Sequence, residues 1–139
     1  MTSVPQAFQG IDGIQILCLV QADGVPADDS IRNQLCDRVA AAAGQGTELA
    51  VSTIALGDPA VLSQSKLTIL VHGAIEGGDR AILTMRPYRP SAPGSDVLFG
   101  AMPRVASLSD EAGIKSAINA SLDEILPWRA GIAGVRKLP

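Results

Sequence analysis

The sequence of 139 residues predicts an α+β fold: a two-layer sandwich with two helices on one face of a mainly antiparallel sheet of four or five strands. Three observations carry that expectation. Lys66 to Arg89 reads as a long antiparallel hairpin, two later and earlier stretches each carry one apolar stripe at helical spacing, and Gly13 to Ala22 is apolar on both faces of a strand. The order is strand, helix, strand, two hairpin strands, a short further strand, helix. Two amphipathic helices bury their stripes most simply against one face of a single sheet.

In the hairpin, Glu76-Gly77-Gly78-Asp79 separates two apolar runs, and adjacent glycines reach the positive φ angles of a tight reversal. Side chains alternate faces along a strand. Leu67, Ile69, Val71 and Ile75 therefore share one side of the first strand, and Ala81, Leu83 and Met85 share one side of the second. Matching these sets pairs odd positions with odd, which needs a loop of three or five residues instead of Gly-Gly alone. The opposite face then carries Thr68, Leu70, His72 and Ala74 beside Arg80, Ile82, Thr84 and Arg86.

The remaining elements follow in order. Residues 1–10 lack periodicity and are expected to form a mobile arm ahead of a single domain spanning 11–139. Gly13 to Ala22 reads as an interior strand, and Asp23-Gly24-Val25-Pro26 as a turn. A helix from Asp28 and Asp29 to Ala43 has carboxylates placed to accept hydrogen bonds from its free N–H groups, a stripe of Ile31, Leu35, Val39 and Ala42, and a stop at Gly44. Glu48 to Leu56 is the second strand, expected beside the first, and 59–65 a connector or short helical turn. Proline, serine and glycine make 89–96 a flexible loop, and Asp96 to Met102 is expected as a short edge strand ended by Pro103. The last helix is capped by Ser107 or Ser109, carries Ile114, Ala117, Ile118, Leu122, Ile125 and Leu126 as its stripe, and ends at Pro127.

Composition removes several classes of function. A net charge of −3 opposes nucleic-acid binding, which relies on a basic surface to neutralise phosphate. The order helix, three strands, helix is also that of a double-stranded-RNA-binding domain, but the last helix begins Ser109-Asp110-Glu111 and has Lys115 as its one base. No segment approaches the roughly 18 apolar residues of a membrane span, and the start of the chain has no basic, apolar leader, so a cytoplasmic protein is expected. Cys18 and Cys36 fit neither a CxxC redox motif nor a zinc site, and are expected as free buried thiols. In an oxidising compartment, which would favour a periplasmic, envelope-associated module, the pair would instead close a disulfide worth about 3 kcal/mol. No cofactor and no metal are expected.

Candidate chemistry is sparse. His72 is the single histidine, with no obvious carboxylate partner except Glu76, and reads as a structural or interface residue instead of a general base. At an interface it would make association sensitive to pH. Arg80, Arg86, Arg89 and Arg104 make the centre of an acidic chain locally basic, so that Arg80, Arg86 and Arg89 with Tyr88 and His72 are candidate anion-binding residues. Asp23, Asp28 and Asp29 lack the ligand spacing of a calcium loop.

A sheet with helices on one side only leaves its other face uncovered, and an apolar face of that kind commonly marks an interaction site. The expected function is non-enzymatic: self-association, as a dimer, or docking of a protein partner, through Leu70, His72, Ile82 and Thr84. The alternative is a small-molecule or anion-binding protein, or an enzyme, with a pocket near His72 and Arg86.

Overall fold

The structure, a computed structural model, describes residues 8–90, 100–126 and 128–129. The described residues form a two-layer α+β sandwich of one six-stranded sheet and two α-helices. The strands are β1 (Gly13–Ala22), β2 (Val25–Pro26), β3 (Ala50–Ile54), β4 (Lys66–Glu76), β5 (Arg80–Tyr88) and β6 (Arg104–Ser107), and the helices are α1 (Asp29–Ala43) and α2 (Glu111–Ile125). β1 carries β4 along one edge and both β3 and β2 along the other, and β5 and β6 continue the sheet beyond β4.

The sheet is mixed instead of mainly antiparallel. β1 runs parallel to both β3 and β4, while the β1–β2, β4–β5 and β5–β6 ladders are antiparallel. Helix α1 is a crossover that returns the chain in the direction of β1, as parallel neighbours require. β4 then enters on the far side of β1 in that same direction. The sixth strand is β2, which pairs with the end of β1 through Asp23-Gly24, where φ is 50° and 85°. Positive φ at both central residues is the hairpin geometry that Asp-Gly favours. The expected turn therefore also contains a ladder.

The central hairpin has the odd-to-odd register. Ile69 faces Pro87, Val71 faces Met85 and Ile75 faces Ala81, across the three-residue loop Gly77-Gly78-Asp79. Gly77 and Gly78 sit at φ of 62° and 80°. Leu67, Ile69, Val71, Ile75, Ala81, Leu83 and Met85 are all buried, with Ile14, Ile16, Cys18 and Val20 of β1 beside them. Leu35, Cys36, Val39, Ala42 and Ala43 of α1, and Ile114, Ala117, Ile118, Leu122 and Ile125 of α2, close the same core. α1 packs over β1 and β3, α2 over β5 and β6, and the helices touch.

Several expected details differ. Asp28 precedes α1 but makes no side-chain cap hydrogen bond, and Asp29 instead pairs with Arg32 at 3.2 Å. α2 is capped by Asp110, whose carboxylate accepts from the Gly113 N–H at 3.0 Å, and not by a serine. The edge strand lies after Pro103 instead of before it, because proline has no N–H for a ladder. Gly100 to Met102 is not strand, and the first part of the expected strand lies outside the described residues, as does most of the loop expected at 89–96. Packing reaches back to Phe8, whose ring meets Trp128 edge-on at 6.4 Å, within the stretch expected as an arm. Residues 1–7 lie outside the described residues.

Cys18 on β1 and Cys36 on α1 form a disulfide with Cα atoms 5.9 Å apart, in place of the expected free thiols. Both were expected near the core. The parallel crossover is what sets α1 over β1 and brings them into bonding range.

Candidate functional site on the open sheet face

The face of the sheet turned away from the helices is organised in rows by the strand register. Ile54, Leu17, Leu70 and Arg86 form one row; Leu19, His72 and Thr84 form the next; Gln21, Ala74, Ile82 and Val105 form a third. Leu19 is 42% exposed and Val105 57%. Leu17, Leu70, His72, Ile82 and Thr84 are half-buried.

This face is not open throughout, contrary to expectation. Gln15 and Thr68 lie on it, yet both are buried, and the Thr68 hydroxyl donates to Gln15 Oε1 at 3.1 Å. A satisfied buried polar pair therefore marks one closed end. The open half begins at Leu17.

Within that half is a depression of about 520 Å³ lined by Leu17, Leu19, Leu56, Leu70, His72, Thr84, Arg86 and the Gly100-Ala101 backbone, among others. One wall forms because Ala101 N–H donates to Met85 O at 2.7 Å. Gly100 makes that close approach feasible: a Cβ there would lie 3.1 Å from Met85 O and 3.3 Å from Arg86 Cβ.

The structure sorts the expected site residues. His72, Thr84 and Arg86 come together, with Thr84 directly opposite His72 and Arg86 one pleat repeat along β5. Leu70 lies opposite Arg86, and Ile82 lies opposite Ala74, so the four expected interface residues share this face. The other arginines are engaged elsewhere. Arg80 pairs with Glu76 at 3.7 Å near the hairpin tip, Arg104 pairs with Glu124, and Arg89 donates to Gln64 O at 3.0 Å and to Gln9 O. Tyr88 lies opposite Thr68, beside the closed end, and is not among the residues lining the depression. The anion cluster thus reduces to Arg86.

Sequence reasoning did not assign Leu17, Leu19, Leu56, Gly100 or Ala101 to a site. The two-sided apolar character of β1 was the signal for Leu17 and Leu19. Leu56 and Gly100-Ala101 come from segments distant in sequence, with no local pattern to reveal them. A second depression of about 460 Å³ lies where β1 is left by β3 and not yet joined by β2, and Cys18, Cys36, Arg32 and Asp37 are part of its lining. Among the described residues, no group of three or more His, Cys, Asp or Glu side chains is placed to hold a metal ion.

The shifted carboxylates support the fold, away from this depression. Lys66, 2.8 Å from Asp12, holds the Asp12 carboxyl below its ordinary value, and Arg38 does the same for Glu111. Hydrogen bonds from the Ser107 hydroxyl and the Ser109 N–H lower Asp79. At Glu124, burial acts to raise the carboxyl, but hydrogen bonds from Arg104 and the Met102 N–H outweigh it and the net shift is downward.

No protein-family model matches the chain, and no curated protein matches it in sequence. Solved structures of similar fold include two crystal forms of the PelC dodecamer from Paraburkholderia phytofirmans. A single-residue variant in space group C2 aligns with a TM-score of 0.53 at 12% identity, covering 91% of this chain and 95% of that one. A form in space group P6 aligns with a TM-score of 0.54 at 12% identity, covering 88% and 95%. At this identity the likeness concerns the fold: the two-layer α+β sandwich is shared along nearly the whole length of both chains.

Proposed function

We propose that this chain is a non-enzymatic assembly domain that associates with copies of itself through the open half of its sheet. The observation that carries this reading is exposed Leu19 and Val105 on the same sheet face as half-buried Leu17, Leu70 and Ile82, with neither α1 nor α2 packed on that face among the described residues. Apolar surface of this kind is stabilised by transfer from water, at roughly 25 cal/mol per Å². The dodecameric state of the PelC structures with this fold supports self-association as the reading. A dimer or a larger closed ring both satisfy the reading, and docking of a different protein partner is its nearest competitor.

Native mass spectrometry tests it. The purified protein is expected as a defined multimer, and Leu19→Asp and Val105→Asp are expected to yield monomers, since both positions are exposed in one protomer and tolerate a charge there. A monomeric wild-type protein, or a multimer unchanged by both substitutions, would overturn the proposal.

The Cys18–Cys36 disulfide supports placing the protein in an oxidising compartment such as the periplasm, in preference to the cytoplasm. Protein recovered from its native source without reductant is expected to be two hydrogens lighter than its dithiol mass.

A further inference from the structure

The open half of the sheet contains one feature that assembly does not require. Arg86 is exposed there and has no hydrogen-bond or ion-pair partner among the described residues, whereas Arg32, Arg38, Arg80, Arg89, Arg104 and Arg129 are each held by a carboxylate or a carbonyl oxygen. Among the described residues, no acidic side chain lines its depression. Glu76 is on the same face but lies at the hairpin tip beside Arg80. Thr84 and His72 border Arg86 on the same two strands, and the rest of the lining is chiefly aliphatic: Leu17, Leu19, Leu56, Leu70 and Ala101.

An unpaired guanidinium, two polar neighbours able to donate, and leucine walls define the chemistry of a complementary ligand. We infer that the depression binds a small amphipathic monoanion, a free aliphatic carboxylate. The planar guanidinium fork matches the two oxygens of a carboxylate, and a single cation balances a single charge. The Thr84 hydroxyl and a ring N–H of His72 donate to whatever lone pairs the fork leaves. The hydrocarbon lies along Leu17, Leu19, Leu56 and Leu70. An aliphatic tail matches the leucine walls, and among the described residues no aromatic side chain lines the site. The volume of about 520 Å³ falls in the ordinary range of small-molecule sites. Leu17, Leu19 and Leu70 also belong to the proposed association surface, so the ligand and a second copy compete for them, and Val105→Asp presents the site free.

Isothermal titration with dodecanoate, dodecanol and dodecyltrimethylammonium below their aggregation concentrations tests the inference. Dodecanoate is expected to bind one molecule per protomer, about tenfold or more tighter than dodecanol, the increment of one charge-assisted hydrogen-bond pair. The cationic analogue is expected to bind more weakly still. Arg86→Gln is expected to erase the preference for the carboxylate, and Arg86→Lys to restore part of it. Since Arg86 has no hydrogen-bond or ion-pair partner among the described residues, an unchanged thermal unfolding midpoint in these variants shows that the fold is intact. Repeating the titration on Val105→Asp, which lies outside the lining, separates this inference from the assembly reading: binding to that variant is expected whether or not the wild-type protein is a multimer. Equal affinity for dodecanoate and dodecanol, or a preference that survives Arg86→Gln, would overturn it.

Discussion

Cys18, in the middle of β1, is covalently joined to Cys36, in the second turn of α1, so the strand and the helix that covers it are fastened at the level of the core. The bond closes a short loop, and the entropy it removes from the unfolded chain corresponds to about 3 kcal/mol. Urea denaturation with and without reductant is expected to show a destabilisation of that order, reproduced by Cys18→Ser with Cys36→Ser. Coincident denaturation curves would show that the disulfide does not stabilise the fold.

A second fastening joins the two helices. Arg129, 8% exposed, donates to Ala42 O near the end of α1 at 2.9 Å, to Asp123 Oδ1 of α2 at 2.9 Å, and to Asn119 Oδ1 at 2.8 Å. Arg129→Ala removes the hydrogen bonds to Ala42 O and Asn119 Oδ1 together with the pairing to Asp123, and is expected to cost about 3 kcal/mol in chemical denaturation. Lysine at this position reaches only part of the set and is expected to recover a minor share.

Asp79 links the hairpin tip to the start of α2, accepting from the Ser107 hydroxyl and, at 2.9 Å, from the Ser109 N–H. These hydrogen bonds lower its carboxyl pKa on folding. A depressed carboxyl contributes stability that is present above its unfolded pKa and lost as pH falls through its folded value. Wild-type stability is therefore expected to decline below the ordinary carboxylate range, and Asp79→Asn to flatten part of that decline. An identical acid profile in wild type and variant would remove Asp79 from this role.

Gly73 sits on the core face of β4 beneath α1, where a Cβ would lie 3.1 Å from Leu35 Cδ2 and 3.6 Å from both Leu83 Cδ2 and Val20 Cγ2. The missing side chain lets Leu35 settle onto the sheet. Gly73→Val overfills the space and is expected to destabilise by about 1–3 kcal/mol, read as a lowered denaturation midpoint.

Much of this architecture was legible in local pattern. The hairpin register followed from the alternation of Leu67, Ile69 and Val71 against Leu83 and Met85 across two glycines, and both helices from stripes of leucine, valine, isoleucine and alanine. The exposed apolar face followed by subtraction, since two helices on one side leave the other bare. Capping was less legible, because Asp28 and Asp110 offer similar carboxylates and only the local backbone path decides that one accepts an N–H and the other does not.

What the sequence determined by itself, then, is every element whose signal repeats within a few residues: strand faces at a spacing of two, helix stripes at three and four, and turns at paired glycines or Asp-Gly. The tertiary structure alone decided that β1 lies between β3 and β4 in parallel, that Cys18 meets Cys36, that Gln15 and Thr68 seal one end of the open face, and that Leu56 and Gly100 line the same depression as Arg86. Those contacts join residues far apart in the chain. Periodicity orients each element's apolar side, but which edges adjoin depends on how the whole set shares one core and satisfies its backbone hydrogen bonds together.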